Sequence, residues 1–234
     1  MTTLDARLLV VLKGMDLAAN TAELTLLDKM GYGDRLAGLK RFDYFRLRIQ
    51  TPDSPERTVD RLRRVLDSQS TFYNRNKHAY SLDIEWEGGS RHLGVSREDV
   101  RRRWAADIRN THKKQTDRDL DGKNSGPDVI VTSCRFGGFL VETLVEDDDP
   151  RARTSIAAKI VGGLSGDGGA VGAEVTCLNR ATIWWLAIYE PDTEAAMQTA
   201  REIVVTTRRG AGLLMNPNYQ RAEFVAVTSL TTEP

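Results

Sequence analysis

Residues 7–12, Arg-Leu-Leu-Val-Val-Leu, are β-branched and leucine-rich with no helical spacing, which predicts a buried strand. After Lys13-Gly14, Asn20-Thr21 offers an N-cap for a helix whose Leu24, Leu27 and Met30 recur three apart, ended by Gly31 and Gly33. Residues 36–50 then alternate. Phe45, Leu47 and Ile49 fall on one face and Tyr44, Arg46 and Arg48 on the other, the signature of a strand with one wet face. Pro52 and Pro55 close it, and Val59, Leu62 and Leu66 form the apolar stripe of a second helix with Arg57, Arg61 and Arg64 off it. Tyr80, Leu82, Ile84 and Trp86 alternate with Ser81, Asp83 and Glu85 as a third strand. Strand, helix, strand, helix, strand in this compass predicts a ferredoxin-like unit, with helices on one face of an antiparallel sheet.

Residues 88–126 change character. Gly88-Gly89 breaks the strand, Ser96 caps a helix carrying Val100, Trp104 and Ile108 amid Arg101, Arg102 and Arg103, and the stretch from Asp117 to Asp128 is almost free of apolar residues. This predicts a connector of one docked helix and one polar loop. The second half then repeats the first: strand-forming runs over 129–146 hinged at Gly137-Gly138, a helix from Asp149-Pro150 through Ile160, a glycine-rich turn at 162–172, a long strand at 173–190 and a last strand around Phe224, Val225 and Val227. Leu39-Lys-Arg…Leu47-Arg-Ile49…Pro52-Asp53 matches Leu178-Asn-Arg…Leu186-Ala-Ile188…Pro191-Asp192 at a constant offset of 139 residues, and Val65 falls on Val204 at the same offset. The expected fold class is therefore α+β, two ferredoxin-like βαββαβ-type domains at 1–87 and 127–234 joined by a connector at 88–126 and forming a pseudo-dimer.

The first copy resembles the PurS family, the small non-catalytic subunit of bacterial formylglycinamide ribonucleotide amidotransferase. The resemblance covers residues 7–86. It is carried by the opening strand ending Leu12-Lys13, the helix end Lys29-Met30-Gly31-Tyr32, the strand entry Leu39-Lys-Arg-Phe-Asp-Tyr, and the Leu66-Asp-Ser-Gln-Ser to Tyr80-Ser-Leu-Asp-Ile-Glu85 finish. In the second copy it is weaker, carried by Asp149-Pro150, Leu178-Asn-Arg and the order of elements. The resemblance implies an assembly role, holding a glutaminase and an ATP-using synthetase together in purine biosynthesis or a related pathway, with no catalytic residue supplied by this subunit. The chain departs from the family in being a fused double copy with a connector, which a pairing of two small subunits would explain.

Composition sharpens this only in part. The chain of 234 residues has 33 Lys+Arg against 33 Asp+Glu, which speaks against a polyanion-seeking protein as a whole. The sum conceals a split: residues 1–126 hold 24 basic and 19 acidic side chains, residues 127–234 hold 9 and 14. No run reaches the roughly 18 apolar residues that span a bilayer, and Met1 to Arg7 lacks a basic segment leading into an apolar signal core, so neither membrane nor export is expected. Cys134 and Cys177 are isolated thiols without metal or disulfide spacing, which fits a reducing, cytosolic setting.

Candidate chemistry is sparse. Cys134 and Cys177 with His78, His92 or His112 lack any local nucleophile signature, and a core or surface role is expected of them. The run from Gly162 to Gly172 follows a helix and precedes a strand, the reverse of a phosphate-binding fingerprint, and reads as a turn. The sharpest local motif is the loop Asp117, Asp119, Asp121, Gly122, Ser125, Asp128. Acids at positions 1, 3 and 5, Gly at 6, Ser at 9 and an acid at 12 follow the grammar of a calcium loop. Asp128 in place of Glu and a following strand depart from that grammar, and a solvated acidic linker is the other reading. Calcium is thus the one candidate cofactor. RNA binding by the basic first sheet would need exposed aromatic side chains, and Tyr44 alone offers one, so nucleic acid is not the expected partner.

At the offset of 139, Tyr44, Arg46 and Arg48 become Ile183, Trp185 and Ala187, so the second long strand is apolar on both faces. Ile183, Trp185 and Tyr189 are therefore expected in an interface with the other repeat or with another subunit of a homo-oligomer. Two function classes remain at this stage: an assembly subunit bridging glutaminase and synthetase, and a stand-alone enzyme or small-ligand or calcium-sensing module with a site between the repeats.

Overall fold

A computed structural model describes residues 1–69, 72–120, 138–147, 149–165, 172–207 and 212–230, with side chains in the long connector helix described as far as Ile108. The elements run β1 (Thr2–Leu12), α1 (Leu17–Lys29), β2 (Leu36–Thr51), α2 (Pro55–Ser68), β3 (His78–Trp86), β4 (Gly89–Gly94), α3 (Arg97–Leu120), β5 (Gly138–Asp147), α4 (Pro150–Ser165), β6 (Glu174–Tyr189), α5 (Thr193–Val204) and β7 (Gln220–Ser229). Among the described residues the strands form one antiparallel sheet in the order β4-β3-β1-β2-β6-β5-β7. The fold is mixed, with an α+β arrangement. The order β1 α1 β2 α2 β3 recurs as β5 α4 β6 α5 β7, three strands per copy, and β4 is an added hairpin strand beside β3.

The two copies meet through their long strands. Leu39 pairs with Leu186, Asp43 with Thr182 and Leu47 with Leu178. Since Asp43 and Thr182 are themselves counterparts at the offset of 139, this register relates the two copies by an approximate two-fold axis through that pair. An apolar residue faces an apolar one on either side of the axis, which fixes the register, because a slip of one residue would turn every side chain to the other face.

The helices beside the junction serve both halves: α1 packs on β2 and α4 on β6 of their own copies, and each also joins a core of the other half. α1 puts Ala19 and Leu26 into a core with Val141 and Val145 of β5, Leu186 and Ile188 of β6, and Ala196, Ala200 and Ile203 of α5. Conversely, α4 puts Ile156, Ile160 and Leu164 against Leu8 and Leu82 in the first copy's strands and Val59, Leu62 and Leu66 of α2. Gly163 marks the closest approach of α4 to α2, since a Cβ there would lie 2.5 Å from Val65 Cγ2. Each copy therefore completes the other's core.

Several sequence expectations change here. Asp16, not Asn20, caps α1, its carboxylate accepting from the Ala18 and Ala19 N–H groups at 3.0 and 3.1 Å. Gly162 and Gly163 belong to α4 rather than to a turn, because the α2 contact leaves no room for a side chain at 163. Gly88-Gly89 turns the chain into β4 instead of ending the sheet. Helices also lie on both faces of the sheet: α3 crosses the face opposite the other four, burying Trp104 and Ile108 against Leu9, Val11, Phe42, Leu140, Ile183 and Trp185. That helix is the second layer that the doubly apolar β6 demanded.

Candidate functional site

The pairing scheme leaves a specific gap. β1 stops pairing with β2 at Val10–Asp43, while β2 pairs with β6 back to Leu36, so residues 36–42 present one unpaired edge. The turn after β1, the head of α1 and the α3 residue Trp104 close around that edge to leave a cleft of about 210 Å³, lined among others by Met15, Asp16, Glu23, Lys40, Arg41 and Trp104. Asp16 has two tasks there. It caps α1 with Oδ1 and holds Arg41 Nε at 3.0 Å with Oδ2.

Glu23 and Lys40 are half-buried in this cleft, and among the described residues no ion pair within 4 Å engages either. Burial raises the Glu23 carboxyl above the usual range, opposed by a hydrogen bond with the Leu39 backbone. Burial lowers the Lys40 ammonium, opposed by the charge of Asp107 on α3. Both charges are thus carried at a cost in stability. For Glu23, a raised folded value means stability is greatest below the unfolded pKa and declines as pH rises through the folded one. For Lys40, a lowered folded value means stability is greatest at high pH and declines as pH falls through it. Accordingly Glu23→Gln and Lys40→Met should each stabilise the protein at pH 7 by about 0.5 kcal/mol after solvent screening. The Glu23→Gln gain should shrink toward pH 4. Thermal melts across pH 4–8 check this, and a drop of several degrees in either variant at pH 7 would contradict it.

The second copy builds the same architecture. Asp149 caps α4 by accepting from the Arg151 and Ala152 N–H groups at 3.0 and 3.1 Å, as Asp16 does for α1. Arg180, the counterpart of Arg41, lines a cleft of about 440 Å³ with Asp147, Asp149, Asn216, Tyr219 and Gln220. The Leu-x-Arg and helix-capping Asp motifs of the two repeats therefore converge at the same place in each half. The charged pair does not recur: Ile156, seven residues after its cap as Glu23 is after Asp16, is in the core, and Asn179 stands where Lys40 would be.

Other polar clusters are internally satisfied. The Tyr73 hydroxyl donates to Asp67, which also pairs with Arg75, and burial followed by the Asp67 carboxylate pushes the Tyr73 phenol up. On α3's side of the sheet, Trp185 Nε1 donates to Glu142 Oε2 at 2.9 Å, and Arg97 at the head of α3 pairs with the other oxygen of that buried carboxylate. Among the described residues no group of three His, Cys, Asp or Glu side chains is arranged to hold a metal ion.

The residues singled out from the sequence fall as follows. Ile183 and Trp185 are buried beneath α3, the connector of the same chain, while Tyr189 is half-buried at the end of β6 with its N–H donating to Arg35 O at 2.8 Å. Asp117 and Asp119 fall on the helical backbone of α3, whereas Asp121, Ser125 and Asp128 lie outside the described residues, as does Cys134. Cys177 is half-buried on β6. His92 Nδ1 lies 2.6 Å from Asp83, and His78 Nδ1 accepts from the Asn74 N–H. Sequence reasoning passed over Glu23 and Lys40; the change from Lys40 to Asn179 within an otherwise matching motif was the signal that could have found them. No described helix is long and apolar enough to cross a membrane. Compared with protein-family models, with curated proteins and with solved structures, the chain matches none.

Proposed function

We propose that this chain is a non-catalytic assembly subunit of a glutamine-dependent amidotransferase, a PurS-like protein in which two ferredoxin-like units are fused into a pseudo-dimer that bridges a glutaminase and an ATP-dependent synthetase. The observation that carries the reading is the two-fold register of β2 with β6 about Asp43 and Thr182, together with the cores that α1 and α4 share with the other half. Two small subunits that pair edge to edge would look like this once joined, and the long α3 that joins them also seals the shared sheet. A rigid spacer with two related ends suits a protein that must hold two different enzymes at fixed separation.

The test is reconstitution. The purified chain should co-purify with a glutaminase and a synthetase encoded beside it, and should raise glutamine-dependent turnover of the pair about tenfold or more while leaving ammonia-dependent turnover unchanged. Equal stimulation by the two nitrogen sources, or no complex at micromolar concentrations, would discard the reading.

A further inference from the structure

We propose that the cleft between α1, the open edge of β2 and α3 binds a small zwitterion of the α-amino-acid class, Glu23 receiving its ammonium group and Lys40 its carboxylate. This does not depend on the assembly role.

Three observations converge on it. First, Glu23 and Lys40 bring opposite charges to one cleft from two sides of the β2 edge, Glu23 from α1 and Lys40 from the strand itself beside Trp104. Two half-buried charges of opposite sign, neither in a side-chain ion pair within 4 Å among the described residues, Glu23 held by the Leu39 backbone and Lys40 facing the charge of Asp107, are complementary to a ligand that carries both signs.

Second, the same chain shows what this architecture looks like without the charges. The second cleft keeps the capping Asp and the Arg, Asp149 and Arg180, while the residues at the sequence positions of Glu23 and Lys40 are Ile156, which lies in the core, and Asn179, which donates to Glu146. The fold therefore does not require the pair, and burial works against both members.

Third, the space selects the size. About 210 Å³ lies below the 300–1,000 Å³ usual for drug-sized ligands and is too small for a nucleotide. Val11, Leu12, Leu39 and the Trp104 indole supply an apolar wall for a short side chain. Asp16 and Arg41 engage each other, so their role is to fix the head of α1 and with it the position of Glu23.

Isothermal titration calorimetry of the full chain with each of the twenty L-α-amino acids, and with propionate and propylamine as single-charge probes, tests the assignment. At least one amino acid should bind once per chain with a dissociation constant of about 1 mM or tighter, and both single-charge probes should bind at least about tenfold more weakly. The double variant Glu23→Ile, Lys40→Asn, which copies the residues at those positions of the second repeat, should melt no lower than the parent and lose at least about tenfold in affinity. The isosteric single variant Glu23→Gln should lose a similar factor, which keeps the test decisive if the double variant misfolds. Absence of binding by all twenty below about 10 mM, propionate or propylamine binding as tightly as the amino acid, or a folded variant with parental affinity would each overturn the proposal.

Discussion

Trp185→Ala is expected to remove about 4 kcal/mol of folding stability, a large share of the 5–15 kcal/mol that holds a domain together. The indole is 1% exposed and wedged between Phe42, whose ring centroid is 4.5 Å away, and Trp104 of α3 at 5.9 Å. Truncation opens a cavity under α3 and removes the donor to Oε2 of Glu142, which is 7% exposed, leaving only Oε1 paired, with Arg97. An orphaned buried acceptor adds about 1–3 kcal/mol to the cavity cost. Trp185→Phe separates the two contributions, keeping most of the packing while deleting the N–H donor, and should cost about 1–2 kcal/mol less than the alanine. Urea unfolding followed by circular dichroism measures both. A loss below about 2 kcal/mol for the alanine would mean that α3 is not anchored through this residue.

Separating the repeats should have a still larger effect. Residues 1–87 alone carry α1 without the β5, β6 and α5 surface that buries Leu26, Leu36 and Leu39, and carry α2 without Ile156, Ile160 and Leu164 of α4. At about 1.5–3 kcal/mol for each fully buried leucine, exposing the first three removes about 5 kcal/mol or more, enough to cancel the stability of a unit this small. The fragment is therefore expected to have no folded monomer. It retains one escape: β2 can replace β6 as its own partner, because Leu39 would meet a second copy's Leu47 across the same axis as it now meets Leu186, the counterpart of Leu47. That dimer would set Asp43 against Asp43, a like-charge pair that the fused chain avoids with Thr182. Light scattering after size exclusion should show dimers or larger species, and a cooperative, monomeric fragment would refute the shared-core description.

Much of this architecture was legible because it depends on alternation and spacing. The strand period placed Phe45, Leu47 and Ile49 on the face covered by α2 and α4, and it showed β6 to be apolar on both sides through Ile183 and Trp185. The offset of 139 contains the two-fold relation that the β2–β6 register displays. What the sequence could not convey is which helix covers which strands. An amphipathic stripe specifies that a face is buried, not against what, so the sharing of α1 and α4 with the other half's core left no local trace. α3 is a related case: Trp104 announced a docked helix, but the surface waiting for it was visible only as a doubly apolar strand far along the chain.

Local chemistry explains the remaining differences. Asp16 and Asn20 are both able caps, and the choice between them is made by Arg41, which reaches Asp16 from β2. Gly162 and Gly163 cost helix stability in isolation, about 1 kcal/mol each, yet α4 continues through them because contact with Val65 requires the absence of a side chain at 163. For the cleft, the informative comparison was internal: the positions that change between two otherwise matched motifs.

Among the described residues α3 is the one helix on the sheet's outer face, and it covers only part of that face. Over the rest, Arg48 pairs with Asp5 at 2.9 Å and Arg7 with Glu85 at 3.1 Å, with Arg46 exposed beside them. A pair of identical subunits would repeat whatever it presents, and would admit two copies of any protein that docks there. If the chain serves as the proposed assembly subunit, the fused form would admit one such protein in one orientation, making a symmetric scaffold into a directional adaptor.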